Sequence, residues 1–267
     1  MKKFTTLTLI IVAVLFTNCK KKNNQDDEQE EQTSTYVPVR ILTTDANGGV
    51  TTSDYEYDTN LNITKITSTG TTHTTVKDYY YQNETKGLLD SIVTTLDGNF
   101  NQVDVYTNSN DKISQIEIYN SGRVKVQTVT VTHYDGNKPD RITISKLING
   151  SYNDFNMSAT FNGDNIVRAE TTADLQGNQY SSDVNFTFDD KHEIFTNVNT
   201  KDDYQNKNNI LTESYQVVYF GQTITANANC TYTYDDKDYP THIEKVVSGT
   251  SMQGLSNYVQ DITYEEK

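Results

Sequence analysis

The sequence predicts an all-β fold: repeated antiparallel hairpins forming one strongly curved meander sheet rolled toward a barrel, with a propeller-like arrangement as the alternative. Three observations carry this prediction. Aromatic residues recur at alternate positions in Tyr-x-Tyr-Asp tetrapeptides. Each tetrapeptide is followed by turn residues and then by an aliphatic restart. No long helical periodicity runs through residues 36–267.

The clearest copies are Tyr55-Glu56-Tyr57-Asp58 and Tyr232-Thr233-Tyr234-Asp235. Tyr79-Tyr80-Tyr81-Gln82, Thr132-His133-Tyr134-Asp135 and Phe186-Thr187-Phe188-Asp189 follow the same plan. Val105-Tyr106-Thr107-Asn108 and Ala159-Thr160-Phe161-Asn162 are weaker. Their third positions are 57, 81, 107, 134, 161 and 188, then 234, with a last half-copy ending at Tyr264. Steps of 24 to 27 residues leave room for two strands and two turns, so each unit is a hairpin. The Asp or Asn caps a tight turn through its side chain. Gly87, Gly136, Pro139, Gly163 and Pro240 mark turns, and Ile63, Ile113, Ile142 and Ile243 restart strands. About 14–16 strands follow, and a sheet that large curls, splits or closes.

Ile224, Ala226, Ala228, Cys230, Tyr232 and Tyr234 alternate with Thr or Asn and define an inward face. Cys230 is then a buried small hydrophobe rather than a reactive thiol. Val124 and Val126 share one parity, Val129 and Val131 the other, so a β-bulge is expected near Gln127-Thr128. The stretch Asn197–Asn209 is polar and carries no strand signal. It reads as a long, solvated loop interrupting the meander; long loops inside compact domains are often functional.

Hydrophobic residues make up 34% of the chain, a low share that suits sheets with one wet face. The 19 Tyr and 9 Phe argue against general disorder. The net charge is −14, which repels phosphate backbones, so no nucleic-acid partner is expected. Mean hydropathy is −0.70 and there is no apolar outward band, so the domain is not expected to span a membrane.

The N-terminus has its own grammar. Lys2 and Lys3 precede the apolar run Leu7–Phe16, ten residues that are too few to span a bilayer. Thr17-Asn18-Cys19 resembles the lipobox of bacterial lipoproteins, which implies that Cys19 is acylated after cleavage; Asn18 departs from the usual small residue. The expected organisation is a signal peptide (1–18), a lipidated Cys19 with a disordered polar tether (19–35), and one hairpin-repeat domain (36–267). Residues 20–35 have a reach of roughly 20–24 Å. Lys20 followed by acidic residues resembles a surface-export signal, so the expected location is the outer membrane, with the cell surface favoured over the periplasmic face.

The Tyr-x-Tyr-Asp hairpins resemble the YD-type repeats of bacterial surface proteins. Tyr234-Asp235 with Tyr239-Pro240-Thr241, and Phe188-Asp189-Asp190-Lys191 leading through Phe195 to Asn208-Asn209-Ile210, resemble lipoproteins of a domain family of unknown function with a porin-like fold. The resemblance covers residues 36–267 and implies the fold; that family carries no assigned activity to transfer.

No catalytic, cofactor-binding or metal-binding residue stands out. His73, His133, His192 and His242 lie too far apart in sequence for a local metal pair. Asp58–Asn62 lacks the glycine and distal glutamate of a calcium loop and serves as the turn of its repeat. There is no nucleophile elbow or phosphate loop. The leading expectation is a non-enzymatic envelope lipoprotein, held to the membrane through Cys19, that binds an envelope protein, glycan or lipid or plays a structural part. The alternatives are a carrier of an apolar ligand in a curved β cavity, and a surface glycan-active enzyme. The last requires two carboxylates in one concave site near tyrosines and the 197–209 loop, one of them protonated near neutral pH.

Overall fold

A computed structural model describes residues 35–136, 138–148, 150–175, 177–200, 206–250 and 255–267. The predicted signal segment, Cys19 and the tether lie outside the described residues. The strands are β1 (Tyr36–Asp45), β2 (Val50–Tyr57), β3 (Ile63–Thr69), β4 (Thr74–Asn83), β5 (Leu88–Leu96), β6 (Asn99–Ser109), β7 (Lys112–Asn120) and β8 (Lys125–Asp135). They continue as β9 (Lys138–Ile148), β10 (Ser151–Asn162), β11 (Asn165–Leu175), β12 (Asn178–Phe188), β13 (Ile210–Tyr219), β14 (Gln222–Tyr234), β15 (Pro240–Gly249) and β16 (Tyr258–Glu266). Each pairs antiparallel with the next, and β1 pairs with β16 from Tyr36↔Glu266 to Asp45↔Tyr258. The meander therefore closes into a sixteen-stranded barrel with no free edge, and the propeller alternative is excluded.

The repeat has a structural meaning that the sequence pattern only hinted at. Every even-numbered strand carries one copy near its end, and the register slips by one residue there. Glu56 faces Lys65 but Tyr57 faces Ile63; Tyr80 faces Ser91 but Tyr81 faces Leu89; Thr233 faces His242 but Tyr234 faces Pro240. The same bulge recurs at Asn108, Tyr134, Phe161, Phe188 and, across the closure, at Pro38. A bulge frees a carbonyl from the ladder and bends the strand. Tyrosine answers both needs, because its ring fills the core while its hydroxyl reaches the freed carbonyl. Tyr57 donates to Pro38 O at 2.6 Å, Tyr81 to Ile63 O at 2.6 Å, Tyr134 to Ile113 O at 2.6 Å, Tyr232 to Ile210 O at 2.7 Å and Tyr264 to Pro240 O at 3.1 Å. Each bond ties one hairpin to the one before it. Proline is tolerated at positions 38, 139 and 240 because the bulge asks for no N–H there.

Two details of the register differ from expectation. In the copy at residues 105–108, Tyr106 is the buried inward residue and Val105 is exposed, so the pattern sits one residue out of phase. Asn108 replaces the missing hydroxyl by donating from Nδ2 to Leu89 O at 2.7 Å. The bulge expected near Gln127-Thr128 falls one residue earlier, at Val126, between the pairs Ile118↔Gln127 and Tyr119↔Lys125.

The inward rows are apolar. Ile63, Tyr79, Leu89, Ile92, Ile116, Val129, Ile142 and Ile144 form one cluster, and Ala173, Tyr180, Val184, Tyr215, Val217 and Ala226 a second. Ala226, Ala228 and Cys230 are buried, as the alternation in β14 predicts. The outward rows are polar: Asp154, Asn156, Ser158 and Thr160 on β10, and Thr225, Asn227, Asn229, Thr231 and Thr233 on β14 are exposed. A barrel that crosses a membrane has the reverse arrangement.

A candidate ligand cavity beneath the strap

The connection from β12 to β13 is a modified copy of the ordinary repeat turn. Asp58 Oδ1 accepts from the amides of Asn60 at 2.8 Å and Asn62 at 2.9 Å, and Asp235 Oδ1 from those of Lys237 and Tyr239 at 2.9 Å each. Asp189 Oδ1 accepts from Lys191 N and Asn209 N, both at 3.0 Å. The second donor lies four residues on in the short turns and twenty residues on in this one, so sixteen residues are inserted into an otherwise conventional turn.

The insert is not the solvated excursion its composition suggested. Its described residues, 190–200 and 206–208, lie against the end of the barrel as a strap. Asn197 Nδ2 donates to Tyr36 O at 2.9 Å and to the Tyr239 hydroxyl at 2.7 Å. Asn199 donates from its backbone to Leu61 O at 3.0 Å and from Nδ2 to Asn62 Oδ1 at 3.1 Å. Thr200 Oγ1 accepts from Ile63 N at 2.7 Å and lies 2.8 Å from the Tyr81 hydroxyl. That hydroxyl's one hydrogen is already given to Ile63 O, so Thr200 donates to it. On the far side Asn206 Oδ1 accepts from Ile166 N at 2.8 Å. Thr200 and Asn209 are 4% and 3% exposed. Polar composition hid this burial because Asn and Thr side chains here bond to carbonyls, amides and a hydroxyl at the barrel end.

Beneath the strap lies a cavity of about 370 Å³. Its wall is formed by Tyr55 on β2, Ile63 and Ile66 on β3, Tyr79 on β4, Cys230 and Tyr232 on β14 and Ile243 on β15; Tyr258 and Gln260 on β16, Ile210 and Glu213 on β13, and Glu193 to Phe195, Asn206, Asn208 and Asn209 of the connection complete it. Phe195 packs on Tyr55 with ring centroids 5.5 Å apart. The volume falls at the small end of the range for ligand sites.

Two carboxyl groups reach this space and differ in state. Glu213 is buried and ion-paired: Lys245 Nζ lies 2.8 and 2.9 Å from its two oxygens, and the Tyr215 hydroxyl donates to it. Glu193 Oε2 accepts from Phe195 N at 2.7 Å and has no ion pair among the described residues. Burial pushes its carboxyl up to about 7, against the pull of those backbone amides. Burial likewise raises the Cys230 thiol and the hydroxyls of Tyr232 and Tyr258, so all three stay protonated at neutral pH.

The remaining candidates from the sequence fall elsewhere. His73, His133 and His242 pair with Asp97, Asp140 and Asp261 on exposed surface, and His192 stacks on Tyr239. No group of three His, Cys, Asp or Glu side chains suited to a metal occurs among the described residues. Asp58 is satisfied by its own turn. The sequence reading missed Glu193, Glu213, Lys245 and Phe195. Two signals could have found them. Glu213 sits on the apolar parity of Tyr215 and Val217, and Lys245 on that of Ile243 and Val247. Ile194, Phe195 and Val198 are apolar residues in a mostly polar insert.

No protein-family profile matches the chain, and no curated protein sequence matches it. Solved structures do. A porin-like protein from Bacteroides uniformis aligns with a TM-score of 0.54 at 11% identity, over 86% of this chain and 96% of its own. A porin-like protein from Bacteroides vulgatus aligns with a TM-score of 0.54 at 13% identity, over 86% of this chain and 99% of its own. At these identities the likeness is one of fold: the chain has the closed antiparallel barrel of these porin-like structures.

Proposed function

We propose that the chain is a non-enzymatic cell-envelope lipoprotein, anchored in the outer membrane through Cys19 and facing the cell surface, whose barrel binds a small ligand with an apolar body. The observation that carries this reading is the cavity beneath the strap. A barrel that served only as a scaffold could pack shut throughout, as β5 to β9 do around Ile92, Ile116 and Val129. The chain instead carries a sixteen-residue insert whose described residues lie over a space where Tyr, Ile and Phe meet Glu193, Glu213, Gln260 and three Asn side chains. The leader, Cys19 and the polar tether support the envelope location. Polar outward rows support a domain held beside the membrane rather than within it. Native mass spectrometry of the full-length protein, purified from its own envelope, tests the binding reading through a co-purifying small molecule. An empty spectrum would remove it. Antibody access on intact cells tests the facing.

A second reading, glycan cleavage, draws on one observation: Glu193, whose carboxyl burial pushes up to about 7, shares a cavity with Glu213. Against it, both Glu213 oxygens are engaged by Lys245. Release of reducing sugar from envelope polysaccharide by the native protein, lost in Glu193→Gln, would favour this reading over the first.

A further inference from the structure

Aromatic rings and a carboxyl without a basic partner meet in the cavity. Tyr55, Tyr79, Phe195, Tyr232 and Tyr258 contribute rings to its wall. Ring faces attract cations electrostatically, most strongly where water is excluded. The charge balance around the rings is uneven. Lys245 is ion-paired with Glu213 and lies over the Tyr258 ring, 5.7 Å from its centroid, which leaves the rings of Tyr55, Tyr79, Phe195 and Tyr232 for a ligand. Lys191, on the strap, is paired with Asp238, and the Lys207 side chain is exposed. The groups around Glu193 are then Tyr264 and Tyr258 from β16, Tyr232 and Cys230 from β14 and the Glu213–Lys245 pair from β13 and β15. None of them supplies an unspent positive charge. A ligand cation would.

We infer that the cavity takes a small organic cation, its ammonium group seated against the aromatic rings with Glu193 as counter-ion. This rests on the ligand-binding reading above and names the ligand class. It also gives the raised pKa of Glu193 a use. In the empty site burial pushes the carboxyl up to about 7, and an arriving cation favours its ionised form, so binding below that pH releases a proton. Affinity therefore rises as pH increases from 6 to 8.

The test uses choline and its uncharged isostere 3,3-dimethylbutan-1-ol, titrated calorimetrically into the full-length protein in non-ionic detergent. The expected result is at least tenfold tighter binding of choline at pH 7.5. Glu193→Gln, which keeps the shape of the side chain, should erase most of that preference. Phe195→Leu should weaken choline more than the alcohol. Equal binding of the two probes, or a preference that survives Glu193→Gln, would overturn the cation assignment and leave the cavity reading standing. Binding of neither probe, together with an empty mass spectrum for the envelope-purified protein, would overturn both.

Discussion

Gly87 offers a way to lift the strap without touching the cavity. It sits in the turn between β4 and β5 at φ +62°, and a Cβ placed on it would overlap the backbone carbonyl oxygen of Asn199. Gly87→Ala therefore forces the strap backbone away. The bonds at stake are Asn199 N to Leu61 O, Asn199 Nδ2 to Asn62 Oδ1, Ile63 N to Thr200 Oγ1, and Thr200 to the Tyr81 hydroxyl. At about 0.5–1.5 kcal/mol each they sum to about 2–6 kcal/mol of local stability. The left-handed backbone adds about 1–2 kcal/mol of strain for alanine in the turn itself. The barrel ladder makes none of these bonds, so the loss should stay local. Hydrogen exchange should show amides of the strap segment 195–200 opening at least about 30-fold faster, with the central amides of β5 to β9 unchanged. Unchanged strap protection would refute the claim that these contacts hold it. Loss of protection throughout the barrel would refute the claim that the strap is separable from the fold.

Other consequences follow from the same contacts. Lys245→Met leaves Glu213 buried without its partner, where the two side chains are 12% and 9% exposed, and should cost about 3–5 kcal/mol. The apparent Tm should fall by about 6–20 °C and recover largely in Glu213→Leu/Lys245→Met; a double variant as unstable as the single one would contradict the pairing. Tyr81→Phe orphans the Ile63 carbonyl and should lower unfolding free energy in urea by about 1–3 kcal/mol, and no measurable loss would show the hydroxyl bonds between hairpins to be incidental. Glu193 holds its proton more tightly in the folded strap than in the open chain, since burial raises its pKa from 4.5 to about 7. That contribution is fully present below about pH 4.5 and is lost as pH rises through about 7. Strap protection should fall between pH 5 and 8 in the native protein and stay level in Glu193→Gln; equal slopes for the two would remove Glu193 from the strap's stability.

The hairpin repeat was legible because its chemistry is local. An aromatic at every other position, an Asp that caps its own turn and an aliphatic restart are all written within a dozen residues. The bulge was half legible: proline at 38, 139 and 240 and isoleucine at 63, 113 and 210 occupy one recurring place, but only paired strands reveal that a carbonyl is freed there and that a tyrosine on the neighbouring strand completes it. The weak copy at Val105 read out of phase because Asn108 does the work of the tyrosine hydroxyl. The strap was legible as an interruption and illegible as a lid. Its Asn and Thr residues suggest solvent until their partners, which come from β1, β3 and β11, are known. Glu213 and Lys245 are thirty-two residues apart and meet only because β13 and β15 flank β14.

The account stands or falls on whether the covered cavity holds a molecule. The direct measurement compares the full-length protein with a variant in which residues 190–208 are replaced by Asp-Lys-Asp, the three residues that stand between Asp235 and Tyr239 in the matching short turn. Both are purified from the native envelope and examined by native mass spectrometry, with circular dichroism to establish that each barrel is folded. The account predicts a small cationic molecule on the full-length protein and none on the strapless barrel. Two folded barrels that are both empty, or that carry the same molecule to the same extent, would contradict it.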